Sequence, residues 1–323
     1  MNEALQRSTA DELAPRISVI VPTYRRSDFV LRAVQSVRVQ TIEDWELIIV
    51  DDNDPTSSDR MATQAAVEGL LADPRVRYVR HDANKGGSAA RNTGIRHARA
   101  PFIAFLDDDD EWASQKLDLQ LARIQLAPPK VALVYCQIRI INTETGRQRM
   151  FRSDGRSHSV HDLLRRNTIG STSSILCRAT ALHDVGLFDE SLPARQDLDL
   201  YLRLAEKYEF AFIDEPLVTL YLHGRPSIGK DARSSVIAHE RFAYKHRALI
   251  ASDPDRLRLV RYQLGSHLVA AEQYSEARSV LMKAWRAKPT DTDVMVRLMM
   301  TYGPTRRAAS YVKWALHRLR RPR

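Results

Sequence analysis

Asp107, Asp108, Asp109 and Asp110 follow one another without a break, and Glu111 and Trp112 come next. Four adjacent anions repel one another, and folding has no need of them. Hard divalent cations such as Mg²⁺ and Mn²⁺ select carboxylate oxygens, so a cation would turn that repulsion into a binding site. The apolar stretch before the acids, Pro101-Phe102-Ile103-Ala104-Phe105-Leu106, reads as a strand buried on both faces. In an open α/β sheet, ligands bind just past the carboxyl ends of such strands. A second reading stands beside the first: Asp is favoured at helix N-termini, so the acids can simply open the next helix.

The elements that must position this run alternate. Ile17-Ser18-Val19-Ile20-Val21 is a strand stopped by Pro22, and Asp28 to Gln40 has a helical period. Glu46 to Val50 is a second strand ending at Asp51-Asp52. A helical pattern from Thr56 to Ala72 follows, then a short strand from Val76 to Val79. Lys85-Gly86-Gly87 leads into a helix from Ser88 to Ala98, and Phe102 to Leu106 is the fourth strand. Strands alternating with helices imply right-handed crossovers and a mostly parallel sheet. Downstream, the pattern predicts a helix over 114–126, a strand over 131–141 and a polar loop from Met150 to Ser159. A helix over 198–207 and two strands, Phe210 to Ile213 and Leu217 to Leu222, close the series; Pro226 to Gly229 reads as loop.

The chain has 323 residues, 44% hydrophobic and 28% charged, enough for one large domain and an appendage. No apolar run is long enough to cross a membrane, and Met1 to Arg16 lacks the apolar core of a signal peptide, so a cytoplasmic protein is expected. Cys136 and Cys177 lie in apolar runs and are expected as buried reduced thiols. The net charge of +9 is uneven. Ile250 to Arg323 hold 15 Lys/Arg against 6 Asp/Glu, while the first 249 residues carry 34 of each. Such a separation argues for two parts with different work. The expected division is a polar tail 1–16, a main domain 17–250 and a basic helical extension 251–323.

The ordered motifs of residues 17 to about 223 resemble the inverting family-2 glycosyltransferases of the GT-A (nucleotide-diphospho-sugar transferase) fold. The matching pieces are Ser18-Val19-Ile20-Val21-Pro22-Thr23-Tyr24, Leu47 to Asp52, Asn84-Lys85-Gly86-Gly87-Ser88-Ala89-Ala90-Arg91-Asn92, and Phe105 to Asp110. Val185 to Glu190 and Asp197-Leu198-Asp199-Leu200 follow in order. Each alone is weak; the ordered set is specific. The resemblance implies a GT-A fold, a nucleotide-diphospho-sugar donor, UDP-linked by preference, and a glycan or lipid-linked acceptor in cell-surface polysaccharide synthesis. It also implies a divalent metal cofactor, Mn²⁺ or Mg²⁺.

Within that frame, Pro22, Tyr24, Asp52 and the acidic run sit at carboxyl ends of parallel strands and are expected on one edge of the sheet. Tyr24 offers an aromatic face to a nucleobase or packs on its own loop. The resemblance places Asp52 on the N–H of uracil; helix capping is the plainer account of Asp51 or Asp52. Lys85 and Arg91 flank a glycine turn and suit a diphosphate, and Arg91 equally suits a structural ion pair. The resemblance gives the metal to Asp109, ribose or a metal-bound water to Asp107 or Asp108, and only helix capping to Asp110 and Glu111. It gives His223 a place on the metal or the diphosphate, against the plain reading of a histidine at a strand end. Asp197 matches the base that takes the acceptor proton; Gln196 replaces the Glu usual before it. Helix capping by Asp197, and an ion pair of Asp199 with Arg203 four residues on, are the structural alternatives.

Leu264 to Tyr274 and Ser275 to Ala287, closed by Pro289, resemble one tetratricopeptide helix pair or a plain helical pair. Residues 306–323 hold seven Lys/Arg and no acid, with Tyr311, Trp314, Ala315 and Leu319 on one stripe. That pattern suits an anionic membrane surface and equally a solvated helix end; no motif points to nucleic acid. A peripheral site at the inner membrane face is the corresponding expectation. Gln196 keeps open a non-catalytic protein of the same fold that binds a partner through its helical tail. A pyrophosphorylase or dinucleotide enzyme would need glycines after the first strand, where Pro22-Thr23-Tyr24-Arg25-Arg26 has none.

Overall fold

The computed structural model describes residues 14–151, 153–155, 158–223 and 232–302. They fall into two compact units: one of residues up to Leu163, Asn167–Glu190 and Gln196–Gly224, the other of Leu164–Arg166, Ser191–Arg195 and the chain from Arg225 onward. The expected membrane-facing stripe at 306–323, the loop 226–229 and most of the tail 1–16 lie outside the described residues. No helix among the described residues is long and apolar enough to span a membrane.

The first unit is built on one mixed sheet. β1 (Ile17–Thr23), β2 (Trp45–Asp51), β3 (Val76–Arg80) and β4 (Phe102–Phe105) are mutually parallel. They alternate with α1 (Ser27–Arg38), α2 (Ser58–Glu68) and α3 (Gly87–His97). Apolar strands flanked by amphipathic helices bury both faces, which is what a parallel sheet demands. β5 (Glu111–Trp112), α4 (Lys116–Gln125), β6 (Val131–Asn142) and β7 (Gln148–Phe151) come next. α5 (Val160–Arg165), β8 (Ile175–Arg178), α6 (Ala179–Asp184), α7 (Gln196–Ala205) and β9 (Glu209–Leu222) complete the series. The strand order is β3-β2-β1-β4-β8-β6-β9-β5, with β7 hydrogen-bonded to β6. β8 is antiparallel to both its neighbours, β6 and β9 are parallel, and β5 is antiparallel to β9.

From β1 the chain steps outward to β2 and β3, then crosses back to place β4 on the other flank of β1. The crevice beyond the carboxyl ends of β1 and β4 is therefore the topological switch point, where open α/β sheets bind ligands. Close packing holds that crevice. Gly94 of α3 lies so near β1 that a Cβ there would stand 2.3 Å from Ile20 Cγ2.

Several boundaries differ from the sequence reading, each for a physical reason. β1 does not stop before Pro22 but runs through it to Thr23. β4 pairs β1 only along Ile17 to Ile20, so the missing N–H of Pro22 points past the end of β4 and breaks no ladder bond. Met150 and Phe151, read as loop, continue a strand that hairpins onto β6. The two closing strands are one, β9; Asp214 and Glu215 bulge where the partner of Cys136 is Ile213 and that of Gln137 is Pro216. The acids of the run do not open a helix either. β5 intervenes, and α4 begins only at Lys116. That lysine is fully buried, its ammonium 3.9 Å from the Trp112 ring centre and 2.6 Å from Gln120 Oε1, and burial pushes its pKa down to about 8. Cys136 and Cys177 are buried and free.

The second unit is helical: α8 (Ala232–Lys245), α9 (Arg247–Ala251), α10 (Pro254–Ala270), α11 (Tyr274–Ala287) and α12 (Thr292–Met299). Val236, Leu268, Ala277, Leu281 and Leu298 share its core. α10 and α11 cross at Gly265, where a Cβ would meet Leu281 Cγ at 2.5 Å. The small residue at the crossing and the helix pair are those the tetratricopeptide-like pattern predicts.

Two outcomes follow. Gly94→Val should cost ~1–3 kcal/mol by overpacking, read as a lower denaturant midpoint at unchanged slope. In the helical unit, His239 is fully buried with Nε2 3.1 Å from the Val260 carbonyl. Burial, then Arg195 and His267, hold its pKa well below the usual 6.5. The unfolded chain thus binds the proton more readily, so stability is present above the ordinary histidine pKa and is lost as pH falls through and below it. Thermal melts from pH 7.5 to 5 should show this loss, and His239→Phe should flatten it.

Candidate active site

Each of the four carboxylates is held by a different arrangement. Asp107 takes the Arg91 guanidinium at 2.5 Å on Oδ1 and weak donation from Ser171 Oγ at 3.4 Å on Oδ2. Asp108 is buried; its Oδ1 accepts from Arg26 at 3.0 Å and its Oδ2 from the Tyr24 amide at 3.4 Å. Asp109 Oδ2 lies 2.6 Å from the same Arg26 nitrogen. Asp110, also buried, accepts from Ser173 Oγ at 2.6 Å. Burial raises the Asp108 pKa to about 7 against the pull of Arg26. It raises those of Asp109 and Asp110 as well, with neighbouring carboxylates adding to the rise. The run is a cluster of acids held largely out of water at the switch-point crevice, with Arg26 and Arg91 as its ion-pair partners.

Tyr24 stands at the crevice mouth, 39% exposed, with the Arg25 guanidinium 4.9 Å from its ring centre. Pro22 lies two residues before it in β1. Asp52 follows β2, and its carboxylate is occupied by the protein itself. Oδ1 accepts from the Lys85 amide at 2.8 Å and meets His81 Nδ1 at 2.7 Å. Oδ2 accepts from the Gly86 amide at 2.8 Å and Asn84 Nδ2 at 2.9 Å. Asp52 thus shapes the turn that delivers α3, and Gly86 takes the φ of +89° that the turn needs. Asp51 is wholly buried, accepting from Tyr78 Oη and facing Arg60.

The Lys85 ammonium is not in the crevice cluster; it pairs with Asp82 at 2.6 Å on the exposed side of the turn. Arg91 makes the structural ion pair named above, to Asp107. Asn92 bonds outside its helix: its side chain joins the Phe188 backbone at 2.9 and 3.0 Å and Glu190 at 2.8 Å.

Asp197 lies in the first turn of α7, where Asn167 Nδ2 donates to its Oδ2 at 3.0 Å. The same Asn167 binds the Gly170 carbonyl, next to Ser171 on Asp107. Asp199 pairs with Arg203 at 2.6 Å, as the helical spacing predicts. His223 follows β9, stacks on Phe29 at 4.4 Å between ring centres, and is close enough to Asp109 to act on its charge. Trp112 is buried, donating to the Ser173 carbonyl at 2.9 Å.

No group of three or more His, Cys, Asp or Glu side chains forms a ready metal cage among the described residues. A cage is not what Mg²⁺ at a diphosphate requires: one or two carboxylates suffice, with substrate phosphates supplying the rest. The buried Asp108 and the partly exposed Asp109, which repel each other, fit that donor set.

The family model for glycosyl transferase family 2 matches residues 18–192. The chain belongs to this family. WcaA of Escherichia coli (strain K12), named for colanic acid biosynthesis and glycosyl transfer, is 33% identical over 198 residues, 60% of this chain and 67% of that protein. The Escherichia coli UDP-Glc:alpha-D-GlcNAc-diphosphoundecaprenol beta-1,3-glucosyltransferase WfgD is 32% identical over 129 residues, 40% of this chain and 48% of that one. The S. aureus TarS 1-349 structure in complex with UDP-GlcNAc superposes with a TM-score of 0.59 at 15% identity, covering 88% of this chain and 91% of that one. That likeness shows the GT-A fold. Asp197 and His223 lie past the matched span.

For a family-2 glycosyltransferase, sequence reasoning passed over three groups the crevice uses. Arg26 was only part of a glycine-free loop; its signal was a cation at a strand end opposite four acids. Ser173 and His81 gave none, since a lone hydroxyl or imidazole acquires meaning only from its partners. Asp52→Ala should leave the Lys85 and Gly86 amides without their acceptor and take from Asn84 Nδ2 one of its two, costing ~2–4 kcal/mol. Hydrogen exchange at Lys85 and Gly86 should accelerate with it.

Proposed function

We propose that this family-2 enzyme moves a sugar from a nucleotide diphosphate, UDP by preference, to a hydroxyl of a glycan or lipid-linked acceptor in polysaccharide synthesis, with inversion at the anomeric carbon. The observation that carries the reading is that the acidic run, Tyr24 and Arg91 meet at the crevice between β1 and β4, while Asn167, four residues before Ser171 on Asp107, holds Asp197. Donor and acceptor chemistry is supported by relatives: WfgD is named for UDP-Glc and a diphosphoundecaprenol acceptor, and TarS was solved with UDP-GlcNAc.

Asp109, with Asp108 or Asp107, would hold a divalent cation, and His223 would join them on the metal or the diphosphate. That cation, Mn²⁺ or Mg²⁺, supplies Lewis-acid neutralisation of the charge the leaving diphosphate gains. Tyr24 gives its exposed face to the base. Asp52 acts through the turn it holds: Gly86 and Gly87 let backbone approach the donor, and α3 brings Arg91 to the crevice. Asp197 takes the proton of the attacking acceptor hydroxyl, its carboxylate aimed by Asn167.

UDP release from a UDP-sugar panel, with Mn²⁺ present or chelated, tests the reading. Chelation and Asp109→Ala should abolish turnover. Asp197→Asn should lower kcat ~10²–10⁴-fold while UDP binding persists. Undiminished turnover by Asp197→Asn would remove the base; turnover without cation would remove the metal.

A further inference from the structure

We propose that Arg26 is a built-in counter-cation that occupies the metal position of the acidic run and yields it when a nucleotide diphosphate arrives, so that cation binding depends on the donor. The proposal rests on the metal reading above and adds the coupling of the two ligands.

One nitrogen of Arg26 lies 3.0 Å from Asp108 Oδ1 and 2.6 Å from Asp109 Oδ2. Bridging oxygens of two carboxylates through a single point is what a divalent cation would do at the same place. Besides Arg26, His223 also acts on the charge of Asp109. Arg91 is committed to Asp107, and Arg32 reaches only the Asp109 carbonyl, at 2.7 Å. The backbone around Arg26 is fixed, and its side chain is partly open to solvent. The Tyr24 amide is tied to Asp108, the Arg25 amide donates to Asn53 Oδ1 at 2.8 Å, and α1 starts at Ser27. The Arg26 side chain is 28% exposed, against 5% for Asp108, so the guanidinium has an open side through which to swing.

Charge decides the exchange. With Arg26 seated, a free cation must displace a charge-assisted pair, and the released guanidinium gains only water. A diphosphate adds negative oxygens at the crevice, so cation and guanidinium can then both be satisfied. Donor and metal therefore enter together, and the crevice stays closed to metal alone. A purely structural Arg26 would stay on Asp108 and Asp109 whatever binds.

The test is Mn²⁺ affinity of the full chain, read from the electron paramagnetic resonance of free Mn²⁺, with and without saturating UDP. Without UDP, Arg26→Ala should bind Mn²⁺ at least about tenfold more tightly than the native protein, the worth of one charge-assisted contact. With UDP the difference should vanish or reverse. Arg26→Gln fills the same space without charge and should behave alike, which keeps the test decisive if the alanine protein folds poorly. Equal Mn²⁺ affinity of native and variant proteins without UDP overturns the exchange and leaves the metal site standing. No Mn²⁺ uptake by the native protein even with UDP overturns both.

Discussion

Four carboxylates crowded into a half-buried turn must be given countercharge, and the crevice is arranged around that need. Bare, the run would repel itself and lift its own proton affinities, as burial already does at Asp108, Asp109 and Asp110. The protein meets the need sparingly. Arg91 answers Asp107, Arg26 is shared by Asp108 and Asp109, and a hydroxyl serves Asp110. Anionic charge is left under-compensated where a ligand can reach it. On the proposed reading, such a site takes a divalent cation together with the diphosphate of its donor.

The scaffold contributes rigidity. β1 and β4 end side by side because the chain reverses its direction of travel across the sheet between β3 and β4. Asp52 adds a second constraint from β2 by gathering two amides, an amide side chain and an imidazole into one turn. The segment Asn167 to Ser173 closes the ring, since it touches Asp197 at one end and Asp107 and Asp110 at the other. Asp197 and the acidic run are thus placed by one short stretch of chain. A change at Asn167 or Ser173 therefore bears on both.

Much of this was legible in sequence. The alternation of apolar strands with periodic helices gave the parallel half of the sheet, and the acids stood where strands end. Local signals also gave the Asp199–Arg203 pair and the glycine at the α10–α11 crossing. What escaped was set by partners far along the chain. Asp52, read as a base-binding acid or a helix cap, also anchors its own turn, because His81 and the 84–86 segment arrive only through folding. Lys85 looked poised over the glycines, yet its ammonium turns to Asp82. Glu111 looked like a helix cap until β9 supplied a strand edge for it to join. In each case local chemistry named the residue type correctly, and tertiary pairing chose its partner.

The measurement that bears most directly on the central claim is a crystal structure of the protein with UDP and Mn²⁺, read at the manganese anomalous signal. The account expects one manganese bound to an Asp109 carboxylate oxygen within about 2.5 Å and bridged to the diphosphate, at the crevice between β1 and β4. Manganese elsewhere, or UDP in the crevice with Arg26 still spanning Asp108 and Asp109 and no metal beside them, would contradict it.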